Sequence, residues 1–412
     1  IVTFDMGGTT AKASLVENGK YSRAVEYSVG GGIMAGSRLL TGSGYRLKVP
    51  AIDLAEVGAG GGSIIWIDPA GALQVGPKSA GATPGPVCYG KGGTDPTMTD
   101  ACAILGYLNP NHLVGGDLPL NTELSKKVFA NKIAGPLGLE LEQAAYGAYE
   151  IASANMIRAI KSVSSERGRD PRDYVLFAFG GNGPLFAGAM AAILHMRRIL
   201  VPPAPGVFSA FGLLCAEVEH HYSQTFRRVL QSADPVELES GWNLLEVQAD
   251  HQLSVDGFPP VQRRLIRSAN MHYQGQIYEL SVPVPEGPID EAAVQMLQAA
   301  FGDEHERTYG HRAGPDEPVE LVNLELVGQG LSTVSRVPEG LHAVQNTNQQ
   351  SPPRQAYFGR EHGWMDAPVI AREALSQLQS GPCIIEEYDA TCLVPPGGEA
   401  SLDDYGNIVI EL

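Results

Sequence analysis

The sequence predicts an α/β lobe over residues 1–219, followed by an α+β C-terminal domain over residues 220–412. Three patterns in the first part carry this prediction. Two short apolar runs separated by glycines within Ile1–Val16 are typical of a strand–turn–strand hairpin. Apolar residues at steps of three and four indicate a long helix over Glu142–Arg167. A buried strand, a glycine turn and an apolar helix follow within Tyr174–Leu194, so strands and helices alternate as in an α/β fold.

The bulk composition narrows the classes of function. With 412 residues and a hydrophobic fraction of 43%, the chain is long enough for two or three domains, each with its own core. The 29 basic and 46 acidic residues leave a net charge of −17, which argues against general binding to nucleic acid or to anionic membranes. The five cysteines form no CxxC pair, so we expect reduced thiols and a cytoplasmic location. No apolar run predicts a membrane-spanning helix.

The turn of the first hairpin has the composition of a phosphate-binding loop. It reads Asp5-Met6-Gly7-Gly8-Thr9-Thr10-Ala11-Lys12. Glycine lets the backbone approach a phosphate closely and point successive N–H groups toward it, so Gly7 and Gly8 are predicted to bind the ligand. Thr9 and Thr10 add hydroxyl donors, and Thr9 is also a candidate catalytic residue.

Two charged residues flank this turn. Asp5 is placed to hold Mg²⁺ directly or through a metal-bound water, because Mg²⁺ binds oxygen ligands and usually keeps several waters. Asp5 is therefore the predicted metal ligand and a candidate catalytic residue. Lys12 can reach a phosphate as a point charge, although a lysine on a strand is more often solvated.

A second glycine turn lies between a strand and a helix. It reads Phe179-Gly180-Gly181-Asn182-Gly183-Pro184, and the N-terminus of the following helix carries a positive partial charge. We expect Gly180, Gly181 and Asn182 to line a nucleoside. The two turns together are similar to the nucleotide cleft of the actin/hexokinase-like (ribonuclease H-like) fold, in which a hairpin holds phosphate and a later turn holds adenosine.

A third glycine loop and one further acid complete the candidate site. Gly60 and Gly61 lie in a loop over residues 58–63, and this loop and residues 76–90 are expected to face the substrate. Asp100 begins a predicted helix and is a second candidate metal ligand or general base, but a helix-capping role would explain it equally well.

Several longer motifs resemble the hydantoinase A/oxoprolinase family, and they occur in order along nearly the whole chain. They are Val57–Ile64, Val75–Ala82, Pro84–Gly90, Pro96–Ala101, Phe179–Leu185, Pro205–Ala210, Arg267–Ala269, Tyr273–Gln276, Tyr309–His311 and Gly381–Thr391. The chain departs from many members at Asn182 and Phe186, where they have Ala and His, and at Thr10-Ala11-Lys12, where they have Ser-Thr-Asp. A catalytic histidine after the second turn is therefore not carried over to this chain.

The resemblance implies an ATP-dependent subunit that uses Mg²⁺ (or Mn²⁺) to phosphorylate and open a cyclic amide such as a hydantoin or 5-oxoproline. It also implies a hydantoinase B-like partner subunit. Typical members carry an earlier domain with its own phosphate loop, so we expect that a missing N-terminal domain or a separate chain completes the cleft. Ile1 already lies in a predicted strand, which is consistent with a fragment or a processed product.

Two other functions stay open from the sequence. The first is the ATP-using subunit of an acetone/acetophenone-type carboxylase, which shares the phosphorylation step but uses bicarbonate. The second is a non-catalytic, actin-like ATP-binding module. Related activators that hold an iron–sulfur cluster fit poorly, because the cysteines are scattered.

Overall fold

The computed structural model describes residues 1–21, 23–24, 27–29, 33–34, 45–47, 51–314, 316–333 and 352–412. The chain forms two compact units. The first comprises Ile1–Ser165, Asp170–Gly212 and Glu339–Leu412, and the second comprises Glu166–Arg169 and Leu213–Pro338.

The strands and helices of the described residues are numbered in chain order. The strands are β1 (Val2–Met6), β2 (Ala11–Glu17), β3 (Lys20–Tyr21), β4 (Arg23–Ala24), β5 (Tyr27–Val29), β6 (Ile33–Met34), β7 (Tyr45–Leu47), β8 (Ala51–Ile52), β9 (Leu54–Val57), β10 (Ser63–Ile67), β11 (Leu73–Ser79), β12 (His112–Leu113), β13 (Leu118–Pro119), β14 (Leu176–Phe179), β15 (Arg198–Val201), β16 (Val218–Val229), β17 (Arg263–Tyr273), β18 (Leu280–Pro283), β19 (Val319–Gly330), β20 (Arg354–Tyr357), β21 (Trp364–Ala367), β22 (Val369–Ala371), β23 (Gln379–Ser380), β24 (Cys383–Glu386), β25 (Thr391–Val394), β26 (Glu399–Leu402) and β27 (Ile408–Glu411). The helices are α1 (Met98–Ile104), α2 (Thr122–Phe129), α3 (Gly135–Leu137), α4 (Leu141–Val163), α5 (Gly183–Leu194), α6 (Phe208–Cys215), α7 (Pro235–Val255), α8 (Glu291–Tyr309) and α9 (Gly359–His362).

The central sheet of the first unit places both predicted ligand-binding turns at one edge. Its strand order is β23-β26-β27-β15-β14-β1-β2-β9-β6, with β3 paired to β2. β1 pairs with β2 in antiparallel orientation and with β14 in parallel orientation. In the parallel pair, Val2 lies opposite Leu176 and Asp5 lies opposite Phe179. Because parallel strands end at the same edge, the turns that follow β1 and β14 emerge side by side.

One face of this sheet forms the core of the first unit. Along β1, Val2, Phe4 and Met6 are fully buried, while Thr3 and Asp5 on the other face are half-buried. Side chains alternate between the two faces of a strand, so the apolar half of β1 lies on the face that α4 and α5 cover. The half-buried face carries the polar residues of the candidate site.

The long predicted helix is observed as α4, which ends four residues earlier than the predicted Arg167 and is followed by a single 3₁₀ turn. Its apolar stripe is buried, as the spacing predicts. Tyr149 from this stripe stacks on Phe186 of α5 with ring centroids 4.6 Å apart and donates a hydrogen bond of 3.0 Å to the Leu185 carbonyl. The start of α5, which follows the second glycine turn, is thereby anchored to α4.

The second unit is built on a four-stranded antiparallel sheet. Its order is β16-β19-β17-β18, and α7 and α8 cover a separate core that contains Trp242, Phe301 and Leu324. Two of its strands, β17 and β18, follow each other along the chain. Gly275, with a φ of +92°, lies in the connection between them.

The compact units divide the chain differently from the predicted boundary near residue 220. β27 pairs with β15 of the first unit, with Ile410 opposite Ile199, so the end of the chain extends the first sheet. The paired strands are about 200 residues apart in the chain, and no local sequence pattern near residue 400 predicts their pairing. Most of the exposed loop that an Asn-, Gln- and Pro-rich composition predicts over residues 343–353 lies outside the described residues.

Candidate functional site

The tip of the first hairpin is an open stretch of backbone. The N–H of Gly7 donates to the carbonyl of Thr10 at 3.1 Å and closes the turn, which leaves Gly8 and Thr9 exposed. A methyl group added at Gly7 or Gly8 would meet no atom within 4 Å. The space above both glycines is therefore free for a ligand to approach the backbone closely, as phosphate-binding turns require.

The loop at residues 58–63 supports this hairpin through backbone contacts. The N–H groups of Gly61 and Gly62 donate to the carbonyls of Gly7 and Gly8, at 3.1 and 2.7 Å. The N–H of Gly60 donates to Ser63 Oγ at 2.9 Å. These donors are all engaged within the protein. The geometry therefore favours a supporting role for Gly60 and Gly61, and their predicted part in ligand binding stays a prediction.

The close approach of the two loops predicts unequal effects of Gly60→Ala and Gly8→Ala. A Cβ at Gly60 would lie 2.5 Å from Gly8 C and Thr9 N, so the hairpin backbone must move. We expect Gly60→Ala to lower the free energy of unfolding by about 2 kcal/mol, in the range of overpacking substitutions. Gly8→Ala should change it by less than about 0.5 kcal/mol, since nothing crowds that position. Urea unfolding of both variants tests this, and equal losses would contradict the described packing.

The second glycine turn touches the hairpin directly. Gly180 has a φ of +80°, and a Cβ there would lie 2.3 Å from Asp5 Oδ1, so only glycine fits. The Asn182 N–H donates to the Met6 carbonyl at 2.9 Å, and its side-chain amide donates to the Gly7 carbonyl at 3.2 Å. The structure thus brings together the two turns that the sequence singles out, and Gly181 lies half-buried between them.

Asp5 lies where the hairpin and the second turn meet. Its side chain is half-buried, and Oδ2 accepts a hydrogen bond of 2.8 Å from Ser209 Oγ. Ser209 lies in the Pro205–Ala210 motif, but nothing in its local pattern indicates a contact with Asp5. Within the described ranges, no three His, Cys, Asp or Glu side chains form a metal site. An oxygen donor set of one carboxylate beside an open phosphate turn fits Mg²⁺, which is commonly held by one or two carboxylates and by substrate phosphates.

Lys12 lies beside Asp5 on the neighbouring strand. The two residues are directly opposite each other in the β1–β2 register, and Lys12 in turn faces Glu56 of β9. Lys12 Nζ is 3.8 Å from Glu56 Oε1, and its side chain is 39% exposed. This weak, solvated ion pair leaves the ammonium group able to rotate toward an anion at the hairpin.

The geometry favours a structural role for Asp100, and its candidacy as metal ligand or base stays a prediction. Asp100 has no solvent exposure and is the third residue of α1, where it forms a capping box with Thr97. Its carboxylate accepts hydrogen bonds from five donors. They are the backbone N–H groups of Val87 (3.1 Å), Cys88 (2.8 Å) and Thr97 (2.9 Å) and the hydroxyls of Thr97 (2.8 Å) and Ser125 (2.5 Å). With these partners the carboxylate pins the loop before α1 and is closed to a metal or a substrate.

The same environment makes Cys88 unreactive. Burial, together with the nearby Asp100 carboxylate, raises the pKa of the Cys88 thiol far above its usual value. The thiolate, which is the reactive form, is therefore absent near neutral pH.

A cavity of about 480 Å³ adjoins the second turn within the first unit. Gly181 and Asn182 form one part of its wall, and the acidic turn after β24 forms another. The remaining wall consists of Tyr89, Thr99 and the segment from Leu108 to Gly116. Asn182 lines the cavity and also contacts Gly7, so this residue connects the cavity wall with the hairpin.

The family of this chain follows from comparison with known proteins. Residues 1–222 match the hydantoinase/oxoprolinase family, and residues 227–410 match the hydantoinase/oxoprolinase C-terminal domain. The chain belongs to the hydantoinase/oxoprolinase family. The resemblance described from the sequence motifs is thereby confirmed.

Two relatives illustrate the reach of the similarity. An uncharacterized protein of Methanocaldococcus jannaschii is 40% identical over an alignment of 413 residues that covers 100% of this chain and 58% of that protein. The caprolactamase subunit alpha of Pseudomonas jessenii is 35% identical over an alignment of 411 residues that covers 98% of this chain and 57% of that protein. The chain thus spans little more than half the length of either relative.

Solved structures of two family members share the fold. The crystal structure of the ATP-dependent caprolactamase from Pseudomonas jessenii has a TM-score of 0.82 at 33% identity and covers 100% of this chain and 58% of that chain. A nucleotide-free structure of acetone carboxylase has a TM-score of 0.71 at 26% identity, again over 100% of this chain and 58% of that chain.

In the part of the chain that the structure describes, no helix is long and apolar enough to cross a bilayer.

Proposed function

We propose that this chain is the ATP-binding part of an enzyme that phosphorylates and opens a cyclic amide of the hydantoin or 5-oxoproline type. The observation that carries the proposal is the direct contact between the hairpin at Gly7 and the turn at Asn182, beside the Asp5 carboxylate. The similarity to an ATP-dependent caprolactamase supports both ATP use and an amide substrate. The strand order around β1 and β14 supports an actin/hexokinase-like lobe.

The hairpin is the proposed phosphate site. The exposed backbone at Gly8 and Thr9 and the hydroxyls of Thr9 and Thr10 would bind the phosphates. Asp5, oriented by Ser209, would hold Mg²⁺ (or Mn²⁺) through an oxygen ligand or a bound water. Gly8→Ala should therefore weaken ATP binding without unfolding the protein, because the added methyl group occupies the approach path of the phosphate.

The chemistry needs positioning and charge stabilisation more than covalent work by the protein. An amide is a poor electrophile, and ATP would supply the phosphoryl group that turns its oxygen into a leaving group. The residues of this chain would bind the reactants, keep them aligned and neutralise charge near the hairpin. Lys12 can contribute to that neutralisation when it leaves Glu56.

The proposal also includes a further part of the protein. The Asp5 face of the sheet is half-buried at Thr3, Phe177 and Phe179, whereas the opposite face is fully buried. The relatives extend well beyond the aligned region, by more than two-fifths of their length. We infer that an N-terminal domain or a separate chain packs near this face and completes the nucleotide site, and that a hydantoinase B-like subunit completes the hydrolysis.

The experiment is an ATPase assay on the complete protein, expressed with any upstream domain and the neighbouring subunit. We expect release of phosphate from ATP to rise at least tenfold on addition of a lactam or a hydantoin, because only the bound amide supplies a phosphoryl acceptor. Gly8→Ala should abolish the stimulated rate, and Asp404→Asn, an exposed acidic residue away from the site, serves as the matched control.

Two other outcomes would replace the proposal. Stimulation that requires a ketone and bicarbonate would assign the chain to a carboxylase, in line with its similarity to acetone carboxylase. Binding of ATP with no stimulation by any small molecule would favour a non-catalytic ATP-binding module.

A further inference from the structure

The cavity beside Asn182 has an unusual distribution of charge. Three carboxylates belong to its wall, those of Glu386, Glu387 and Asp389, and none of its lining residues is a lysine or an arginine. All of these lining residues are among the described ones. A ligand in the cavity therefore faces carboxylate groups but no ammonium or guanidinium group.

The two arginines that neutralise part of this charge lie behind the wall. Arg354 pairs with Glu386, and Arg372 pairs with Glu387 at 2.6 Å, but neither guanidinium group lines the cavity. Arg372 is also held by the backbone carbonyls of Val201, Pro202 and Gly406, so it cannot swing toward a ligand. The ion pairs hold the acidic turn in place without offering a positive charge to the cavity.

Asp389 has a different partner. Its Oδ2 accepts a hydrogen bond of 2.8 Å from the Gly206 N–H, a neutral donor that leaves the negative charge in place. Next to it, Tyr388 donates to Asp117 Oδ2 at 2.9 Å, which places a further carboxylate near the rim. An anionic ligand would have to approach these carboxylates, and like charges repel.

The rest of the wall suits an uncharged polar ring. Tyr89, Thr99, Asn109, His112 and Asn182 offer hydroxyl, amide and imidazole groups, and Leu108, Leu113 and Val114 offer apolar surface. A cyclic amide presents one N–H donor and one carbonyl acceptor on an apolar ring, which matches this mixture.

We propose that this cavity receives the cyclic amide and selects uncharged rings, such as lactams and hydantoins, over rings that carry a carboxylate, such as 5-oxoproline. The proposal rests on the proposed function and narrows its substrate class. The position agrees with it, because Asn182 lines the cavity and its side-chain amide also donates to the Gly7 carbonyl at 3.2 Å. The proposal thereby gives the wall at Gly181 and Asn182 to the substrate, in place of the nucleoside that the sequence suggests. In this proposal the amide oxygen lies at the Asn182 end of the cavity, toward a phosphate bound at Gly7 and Gly8.

The test measures binding of ε-caprolactam, 5-oxoproline and adenosine to the complete protein by calorimetry at pH 8, where histidine is neutral. We expect ε-caprolactam to bind at least tenfold more tightly than 5-oxoproline. In Asp389→Asn, whose amide oxygen still accepts from Gly206, affinity for 5-oxoproline should rise about three- to tenfold while affinity for ε-caprolactam stays constant. Asp404→Asn, which removes an exposed charge that does not line the cavity, should change neither value.

Three results would overturn the proposal. The first is equal or tighter binding of 5-oxoproline by the unmodified protein, and the second is an unchanged affinity ratio in Asp389→Asn. The third concerns Thr391→Lys, which adds a cation to the wall: if it abolishes adenosine binding but leaves ε-caprolactam binding intact, the cavity holds the nucleobase. The proposed function fails separately, if no cyclic amide of either charge stimulates ATP hydrolysis.

Discussion

Replacing Asp5 by alanine abolishes binding of ATP·Mg²⁺ while the fold stays intact; this is the expected result with the largest effect on function. Asp5 is half-buried at the edge of the sheet, and its carboxylate accepts a hydrogen bond from the Ser209 hydroxyl, so little packing is lost. The carboxylate is the proposed metal ligand, and without it the metal–nucleotide complex loses its charged anchor. We expect at least a hundredfold loss of affinity by calorimetry, with a urea midpoint close to that of the unmodified protein.

Two variants make the Asp5 result interpretable. Asp5→Asn keeps an acceptor for Ser209 but removes the negative charge, so it should resemble Asp5→Ala in affinity. Ser209→Ala removes only the orienting hydrogen bond and should cost about tenfold or less. If Asp5→Ala binds ATP·Mg²⁺ as tightly as the unmodified protein, the assignment of the metal site is wrong.

Asp100→Ala should have the opposite profile, with a large loss of stability and no direct effect on the site. The substitution leaves five donors without their acceptor in a region that has no solvent exposure. Unsatisfied buried donors cost about 1–3 kcal/mol each but are not additive, so we expect a total loss of roughly 3–5 kcal/mol. Urea unfolding measures this loss directly.

Measurements on folded molecules alone separate a structural role of Asp100 from a catalytic one. At urea concentrations below the unfolding transition, the folded Asp100→Ala variant should bind ATP·Mg²⁺ with the affinity of the unmodified protein. Ser125→Ala, which removes one of the five donors, should cost no more than about 1–2 kcal/mol. A fully stable Asp100→Ala variant without activity would restore Asp100 as a catalytic candidate.

The contrast between these two acids shows what motif spacing leaves open. Both lie in recognisable motifs, and both carry the chemistry of a metal ligand. Their environments differ because Asp5 lies near the end of a strand at the open edge of the sheet, whereas Asp100 lies in the first turn of a helix beneath a loop that folds back onto it. The number and the direction of the hydrogen-bond donors around each carboxylate depend on the neighbouring loops, and motif spacing does not encode them.

The glycines of the third loop make the same point. Their clustering predicts a close backbone approach, and the approach is observed. What they approach is the hairpin itself, because the amides of Gly61 and Gly62 are paired with Gly7 and Gly8. A ligand and a neighbouring loop place the same demand on glycine, so composition alone does not distinguish them.

The sequence by itself determined the local elements of this protein: the opening hairpin, the long helix observed as α4, the turn at Gly180 and the membership of a family with ordered motifs. The hairpin, the helix and the turn follow from short-range physics, since apolar periodicity and glycine conformation act within a few residues. Only the tertiary structure decided that β1 lies beside β14, that the chain returns from its second unit to extend the first sheet, and that Asp5 meets Ser209. Each of these contacts joins residues far apart in the chain, and such pairings depend on the packing of the whole unit.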